Sequence, residues 1–116
     1  METIEKQEYD LKIRIAGNTE IPCFSAIKAK GYKVTVTAYQ DSDYYDWCAE
    51  KDNRLFSATS PVELLGLIAM WEVRGDKWRL KDNPSHNEYD EYRELMDNVP
   101  EYYHDEDGYP HLVGSQ

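Results

Sequence analysis

The segment from Ser60 to Gly75 constrains this chain most, because it carries both the start and the stop signals of a helix. Ser60 and Glu63 have the spacing of a capping box, which satisfies backbone N–H groups at a helix start. Pro61 falls at the first helical position, where its missing N–H is not needed. Gly75 stands where a residue of positive φ commonly ends a helix. The sequence therefore predicts one helix with two defined ends.

This predicted helix is apolar around most of its circumference. Each large apolar side chain that is fully removed from water contributes roughly 1.5–3 kcal/mol. We therefore expect a long buried helix around which the rest of the chain packs. The apolar residues, at helical spacing, are Leu64, Leu67, Ile68 and Trp71, with Val62, Leu65, Ala69, Met70 and Val73 widening the stripe.

Alternation of apolar and polar residues predicts a mainly antiparallel sheet of about four strands. The alternating runs are 11–15, 32–39, 44–50 and 54–58. The last two flank Asp52-Asn53, which suits a two-residue hairpin loop. Such a sheet would pack one face on the long helix.

The hairpin loop also sets a register. If Lys51 pairs with Arg54, then Ala49 lies opposite Phe56. The partners further along are Trp47 with Ala58 on the same face, and Cys48 with Ser57 and Glu50 with Leu55 on the other.

Two shorter helices complete an α+β fold. One is expected from Pro22 to Gly31, and an acidic one over residues 88–97, stopped by Pro100. We expect residues 1–98 to form a single α+β domain. Residues 99–116 are interpreted as an acidic, tyrosine-rich C-terminal tail without periodicity.

Negative charge is concentrated towards the C-terminus. The net charge is −10; residues 1–81 carry 12 Lys/Arg and 13 Asp/Glu, whereas residues 82–116 carry 1 and 10. Nucleic acids and anionic membranes bind through clustered Lys and Arg, so neither is expected as a direct ligand. A basic protein is the expected partner.

No motif in the sequence predicts catalysis. There is no glycine-rich phosphate loop, no G-x-S-x-G and no H-E-x-x-H. The run Asp105-Glu106-Asp107 lacks the alternating ligand spacing of a calcium loop, and Cys23 and Cys48 are interpreted as free thiols. We expect a protein that is not an enzyme and that binds neither metal nor cofactor.

The N-terminus lacks the apolar core of a signal peptide, and the longest apolar run, from Leu64 to Trp71, is too short to span a bilayer. The expected location is the cytoplasm of a bacterial host cell. The oligomeric state stays open.

Carboxylates interleaved with tyrosines form the candidate binding region. Tyrosine is enriched at binding hot spots, and carboxylates can imitate the phosphates of a nucleic acid and accept bidentate bonds from Arg. Alternatively, Tyr89 and Tyr92 are core residues and the acids of that helix are simply its solvated face. The candidate partner-binding residues are Asp90, Glu91, Glu94, Asp97, Tyr102, Tyr103, Asp105, Glu106 and Asp107.

The order of elements resembles that of small acidic CRISPR-nuclease inhibitors (anti-CRISPR proteins) made by phages and prophages. The resemblance lies in the meander from Lys33 to Ala58, the helix from Ser60 to Gly75 and the acidic face that follows. It is one of topology and charge over about two thirds of the chain, without a sequence motif, and the strand at residues 11–15 departs from it. It implies that the acidic face occupies a basic site meant for DNA.

Other classes share some of these features. Double-stranded-RNA-binding domains have a similar element order, but they need basic helix ends that this chain lacks. Immunity proteins that neutralise bacterial toxins are similar in size, acidity and aromatic content. A small regulatory or structural subunit is a further alternative.

Overall fold

The computed structural model describes residues 8–82 and 87–114 and shows an α+β fold. The described residues fall into two compact units that divide after Gly75. The elements are α1 (Glu20–Ala29), β1 (Lys33–Ala38), β2 (Tyr45–Lys51), β3 (Arg54–Ala58), α2 (Pro61–Arg74), α3 (Glu88–Asp97), β4 (Tyr102–His104) and β5 (Pro110–Leu112), with short 3-10 turns at Gly17–Thr19 and Leu80–Asp82.

The first unit contains an antiparallel sheet in the order β1-β2-β3. The β2–β3 register is the one predicted: Lys51 pairs with Arg54, and Ala49 with Phe56. Asp52 and Asn53 form the loop with φ of 50° and 61°. Positive φ at both central residues matches a type I′ turn, whose twist suits the flanking strands. Asp and Asn tolerate this conformation better than most residues, which explains why the loop occurs here.

The ends of α2 are also as predicted. The Ser60 Oγ accepts a hydrogen bond from the Glu63 backbone N–H at 3.2 Å, and Pro61 is the first helical residue. The Glu63 carboxylate in turn accepts hydrogen bonds from the hydroxyls of Thr59 and Ser60. At the other end Gly75 has a φ of 82° and donates its N–H to the Trp71 carbonyl. Local sequence therefore defines where this helix begins and ends.

Burial of α2 is less complete than its apolar composition suggested. Pro61, Leu64 and Ile68 are buried, but Leu67 is only half-buried and Val73 is 88 % exposed. The prediction of a long buried helix overestimated its burial. One side of α2 faces the core, and the opposite side carries apolar residues in contact with solvent.

The core of the first unit joins both helices to the sheet. Its buried residues are Ile27, Tyr32, Ala49, Leu64 and Ile68. Half-buried Trp47, Phe56 and Ala58 pack against this cluster, as predicted. Burial, together with the nearby Glu72 carboxylate, raises the pKa of the Tyr32 phenol.

The prediction of four strands in this sheet was wrong. Residues 11–15 belong to no strand, and the sheet has three. Leu11, Ile13 and Ile15 are all mostly exposed. Alternation describes the residues that a strand needs but does not specify its hydrogen-bonding partner.

The second unit contains α3 and a small hairpin. Helix α3 has the predicted bounds. Beyond it, β4 and β5 pair antiparallel, with Tyr103 opposite His111, so part of the acidic tail is folded into a two-stranded sheet. Strands of three residues are too short to show periodicity, which is why the sequence did not predict this hairpin.

Candidate acidic interaction surface

The acidic face of α3 is formed by residues that follow the helical repeat. Asp90, Glu94 and Asp97 are spaced four and three residues apart, so they lie along one side of the helix. Glu91 precedes Glu94 by one turn and widens this side. All four carboxylates belong to exposed residues. The predicted acidic residues of α3 are therefore brought together on one solvent-facing surface.

A second side of α3 is apolar and aromatic. Tyr89 and Tyr92 are 59 % and 65 % exposed, and Met96 is 56 % exposed. Their spacing of three and four residues places them on one stripe. The alternative interpretation of the two tyrosines as core residues does not fit these exposures. Helix α3 is thus amphipathic, with its apolar stripe in contact with solvent.

An open groove of about 710 Å³ lies at the C-terminal end of α3. Glu91 and Glu94 border it together with the apolar side chains of Leu95, Met96 and Val99. Asn98 closes the helix, because both its backbone N–H and its side-chain Nδ2 donate to the Glu94 carbonyl. The groove combines acidic and apolar walls, which suits the aliphatic stem and charged head of Arg or Lys. The sequence did not indicate this groove.

The two candidate tyrosines, Tyr102 and Tyr103, belong to strand β4 of the small hairpin. Consecutive residues of a strand point to opposite faces, so Tyr102 and Tyr103 lie on different sides of the hairpin. The Tyr103 ring stacks on His111, with centroids 5.3 Å apart and planes 22° from parallel. Tyr102 is 56 % exposed. A single flat partner surface would contact only one of them.

Asp105 organises the turn of this hairpin. Its Oδ1 accepts hydrogen bonds from the backbone N–H groups of Asp107 and Tyr109 at 3.0 and 2.9 Å. Its Oδ2 lies 2.6 Å from the His111 Nε2. The His111 hydrogen bond and, next, that from Tyr109 hold the pKa of the Asp105 carboxyl below its ordinary value of 3.8. Asp105 is therefore engaged within the hairpin.

Glu106 and Asp107 differ from Asp105, because they are exposed at the tip of the turn. Gly108, with a φ of 84°, donates its N–H to the Asp105 carbonyl and completes the turn. Asp at the first position and Gly at the fourth are typical of a type I turn. That signal was present in the sequence, and it could have revealed the role of Asp105.

Within residues 8–82 and 87–114, no group of three or more His, Cys, Asp or Glu side chains is arranged to hold a metal ion. Over the same part of the chain, no helix has the length and apolar character needed to cross a bilayer. Cys23 and Cys48 are free and half-buried.

No protein-family model, curated protein or solved structure matches this chain.

Proposed function

We propose that this protein is a non-catalytic inhibitor whose acidic surface occludes a basic, nucleic-acid-handling site on a partner protein. The observation that carries the proposal is the exposure of both sides of α3. Carboxylates occupy one side, and Tyr89, Tyr92 and Met96 occupy the adjoining side. Large exposed apolar stripes beside polar residues are typical of protein-binding surfaces.

The charges suit a partner rich in Arg and Lys. Residues 82–116 carry ten Asp/Glu and one Lys/Arg. A field of this sign accelerates encounter with a basic surface and repels nucleic acid itself. Arg can bridge carboxylates through bidentate hydrogen bonds and can stack on tyrosine rings. The acidic side of α3 would then occupy positions that the partner reserves for phosphates.

The class of partner follows from this chemistry. A nuclease that binds DNA or RNA has a basic cleft of the required kind, and the resemblance to anti-CRISPR proteins points to a CRISPR nuclease or another defence nuclease in a bacterial cytoplasm. A nuclease toxin would offer the same surface. Recovery of the natural partner distinguishes these two cases.

The test combines partner capture with a charge-neutral variant. The chain is used to capture proteins from bacterial lysates, and the affinity of a captured partner is measured for Asp90→Asn, Glu91→Gln, Glu94→Gln and Asp97→Asn combined. We expect affinity to fall at least about tenfold, or 1.4 kcal/mol. The association rate of the unmodified protein should also fall steeply with added salt.

A matched control neutralises four exposed acids of the first unit: Glu20→Gln, Asp41→Asn, Asp43→Asn and Glu50→Gln. It makes the same change in net charge and should reduce affinity far less. Equal affinity of the α3 variant and the unmodified protein, with circular dichroism unchanged, would rule out the proposed surface. Equal losses in the two variants would show that only overall charge matters.

A further inference from the structure

The segment before α1 has a self-complementary sequence. Residues 8–14 read Glu-Tyr-Asp-Leu-Lys-Ile-Arg. Acidic residues precede Leu11 by one and three positions, and basic residues follow it by one and three positions. An antiparallel copy of the segment, centred on Leu11, therefore places each acid opposite a base. The pairs would be Asp10 with Lys12 and Glu8 with Arg14, each formed twice.

The same register separates polar from apolar side chains. With Leu11 opposite Leu11 of the second copy, Tyr9 lies opposite Ile13. Because side chains alternate between the two faces, these three residues share one face. One face of the paired strands would be apolar, and the other would carry four ion pairs. Opposite charges directly across from each other stabilise antiparallel strands, whereas like charges destabilise them. Centring the pairing on Ile13 instead would place Lys12 opposite Arg14, which disfavours that register.

The structure leaves this segment outside its sheets. Residues 11–16 belong to no helix or strand, and Leu11 and Ile13 are each 74 % exposed. Apolar residues that alternate along a strand normally form its buried face, so an exposure of 74 % is unusual for Leu11 and Ile13. Exposed apolar side chains that alternate along a segment outside the sheet offer a template for pairing with another chain.

The surroundings supply packing that a bare pair of strands lacks. Two strands alone are marginally stable in water. Here Lys12, Ile13 and Arg14 border an open groove of about 560 Å³, whose other wall includes Pro22, Cys23 and Ala26 of α1 and Leu65 of α2. The apolar face of the paired strands can be covered against this helical wall.

We infer that this protein forms a homodimer in which residues 8–14 of two copies pair as antiparallel strands about a two-fold axis at Leu11. The inference does not depend on the proposed inhibitor function, since it uses a different unit of the chain. The partner is a second copy of this chain, because the charge pattern of residues 8–14 is complementary to itself.

The test is a charge exchange in the full chain, followed by sedimentation velocity. Asp10→Lys alone puts like charges opposite Lys12 of the second copy, and Lys12→Asp alone puts like charges opposite Asp10. Each single variant should weaken dimerisation at least about tenfold relative to the unmodified protein. A mixture of the two single variants should form heterodimers, and the double variant should dimerise like the unmodified protein.

A cross-link tests the register. In a Cys23→Ser, Cys48→Ser background, Leu11→Cys should give a disulfide-linked dimer on mild oxidation, because directly opposed residues have the required separation. Ile15→Cys is the control, because its two copies would lie about 27 Å apart at ~3.4 Å per residue. An unmodified protein that stays monomeric at about 0.1 mM, or a double variant that does not recover dimerisation, would overturn the inference.

Discussion

Leu64 and Val73 lie nine residues apart on the same helix, yet Leu64 is fully buried and Val73 is 88 % exposed. Leu64→Ala removes a side chain from a filled core and should cost about 2–5 kcal/mol in the free energy of unfolding. Val73→Ala should change that free energy by less than about 0.5 kcal/mol, because the side chain contacts solvent. Urea denaturation of both variants measures the difference. Similar losses in the two would contradict the assignment of one buried side to α2.

The β2–β3 loop allows a second prediction. Asn53 has a φ of 61°, a conformation that costs a β-branched residue about 1–2 kcal/mol but costs Gly little. Asn53→Val should therefore lower the free energy of unfolding by about that amount, whereas Asn53→Gly should preserve it. Thermal unfolding of the three proteins gives the comparison. An Asn53→Val protein as stable as the unmodified one would exclude the two-residue turn.

The Asp105 carboxylate makes the small hairpin sensitive to acid. Because its pKa in the folded hairpin lies below the ordinary value of 3.8, ionised Asp105 stabilises the hairpin above that value. The stabilisation is lost as the pH falls through the lowered folded pKa. NMR signals of Tyr103 and His111 should shift towards unfolded values over this acidic range. Signals that are independent of pH there would contradict the role of Asp105.

Two variants refine that test at neutral pH. Asp105→Asn removes the charged acceptor that faces His111 and should lower the hairpin population. Glu106→Gln, one residue further on and exposed, should leave it unchanged. Equal effects would indicate that net charge, and not the Asp105 hydrogen bonds, controls the hairpin.

Tyrosine contributions to partner binding can be separated from folding. Tyr92 is 65 % exposed in the second unit, and Tyr44 is 69 % exposed in the first. If Tyr92 is a hot spot of an α3 interface, Tyr92→Ala should weaken the captured complex at least about tenfold, because hot spots are enriched in Tyr. Tyr44→Ala should leave the affinity unchanged. Calorimetric titration with unchanged melting temperatures would measure this contrast.

Much of the first unit could be predicted from the sequence because its signals are local. The caps of α2 depend on Ser60, Glu63 and Gly75, which act within one turn of the helix. The β2–β3 register follows from a loop of two residues, so no long-range information is needed. Strand β1 pairs antiparallel with β2, so the three strands form the predicted meander from Lys33 to Ala58.

The errors arose where pairing or burial depends on distant residues. Leu11, Ile13 and Ile15 alternate correctly, but alternation does not specify a partner strand. Val73 continues an apolar stripe, but its burial depends on what lies opposite. The bounds of helix α3 were predicted correctly. The grouping of its four carboxylates on one side follows directly from helical spacing. The role of Asp105 was missed even though Asp105 and Gly108 have the local spacing of a type I turn.

The turn at Asp52 and Asn53, together with the caps at Ser60 and Gly75, has a consequence for how sequences of this fold can diverge. Backbone geometry restricts each of these positions to a few residue types, whereas exposed neighbours can change freely. A remote homologue would therefore keep the intervals between these positions more faithfully than the residues between them.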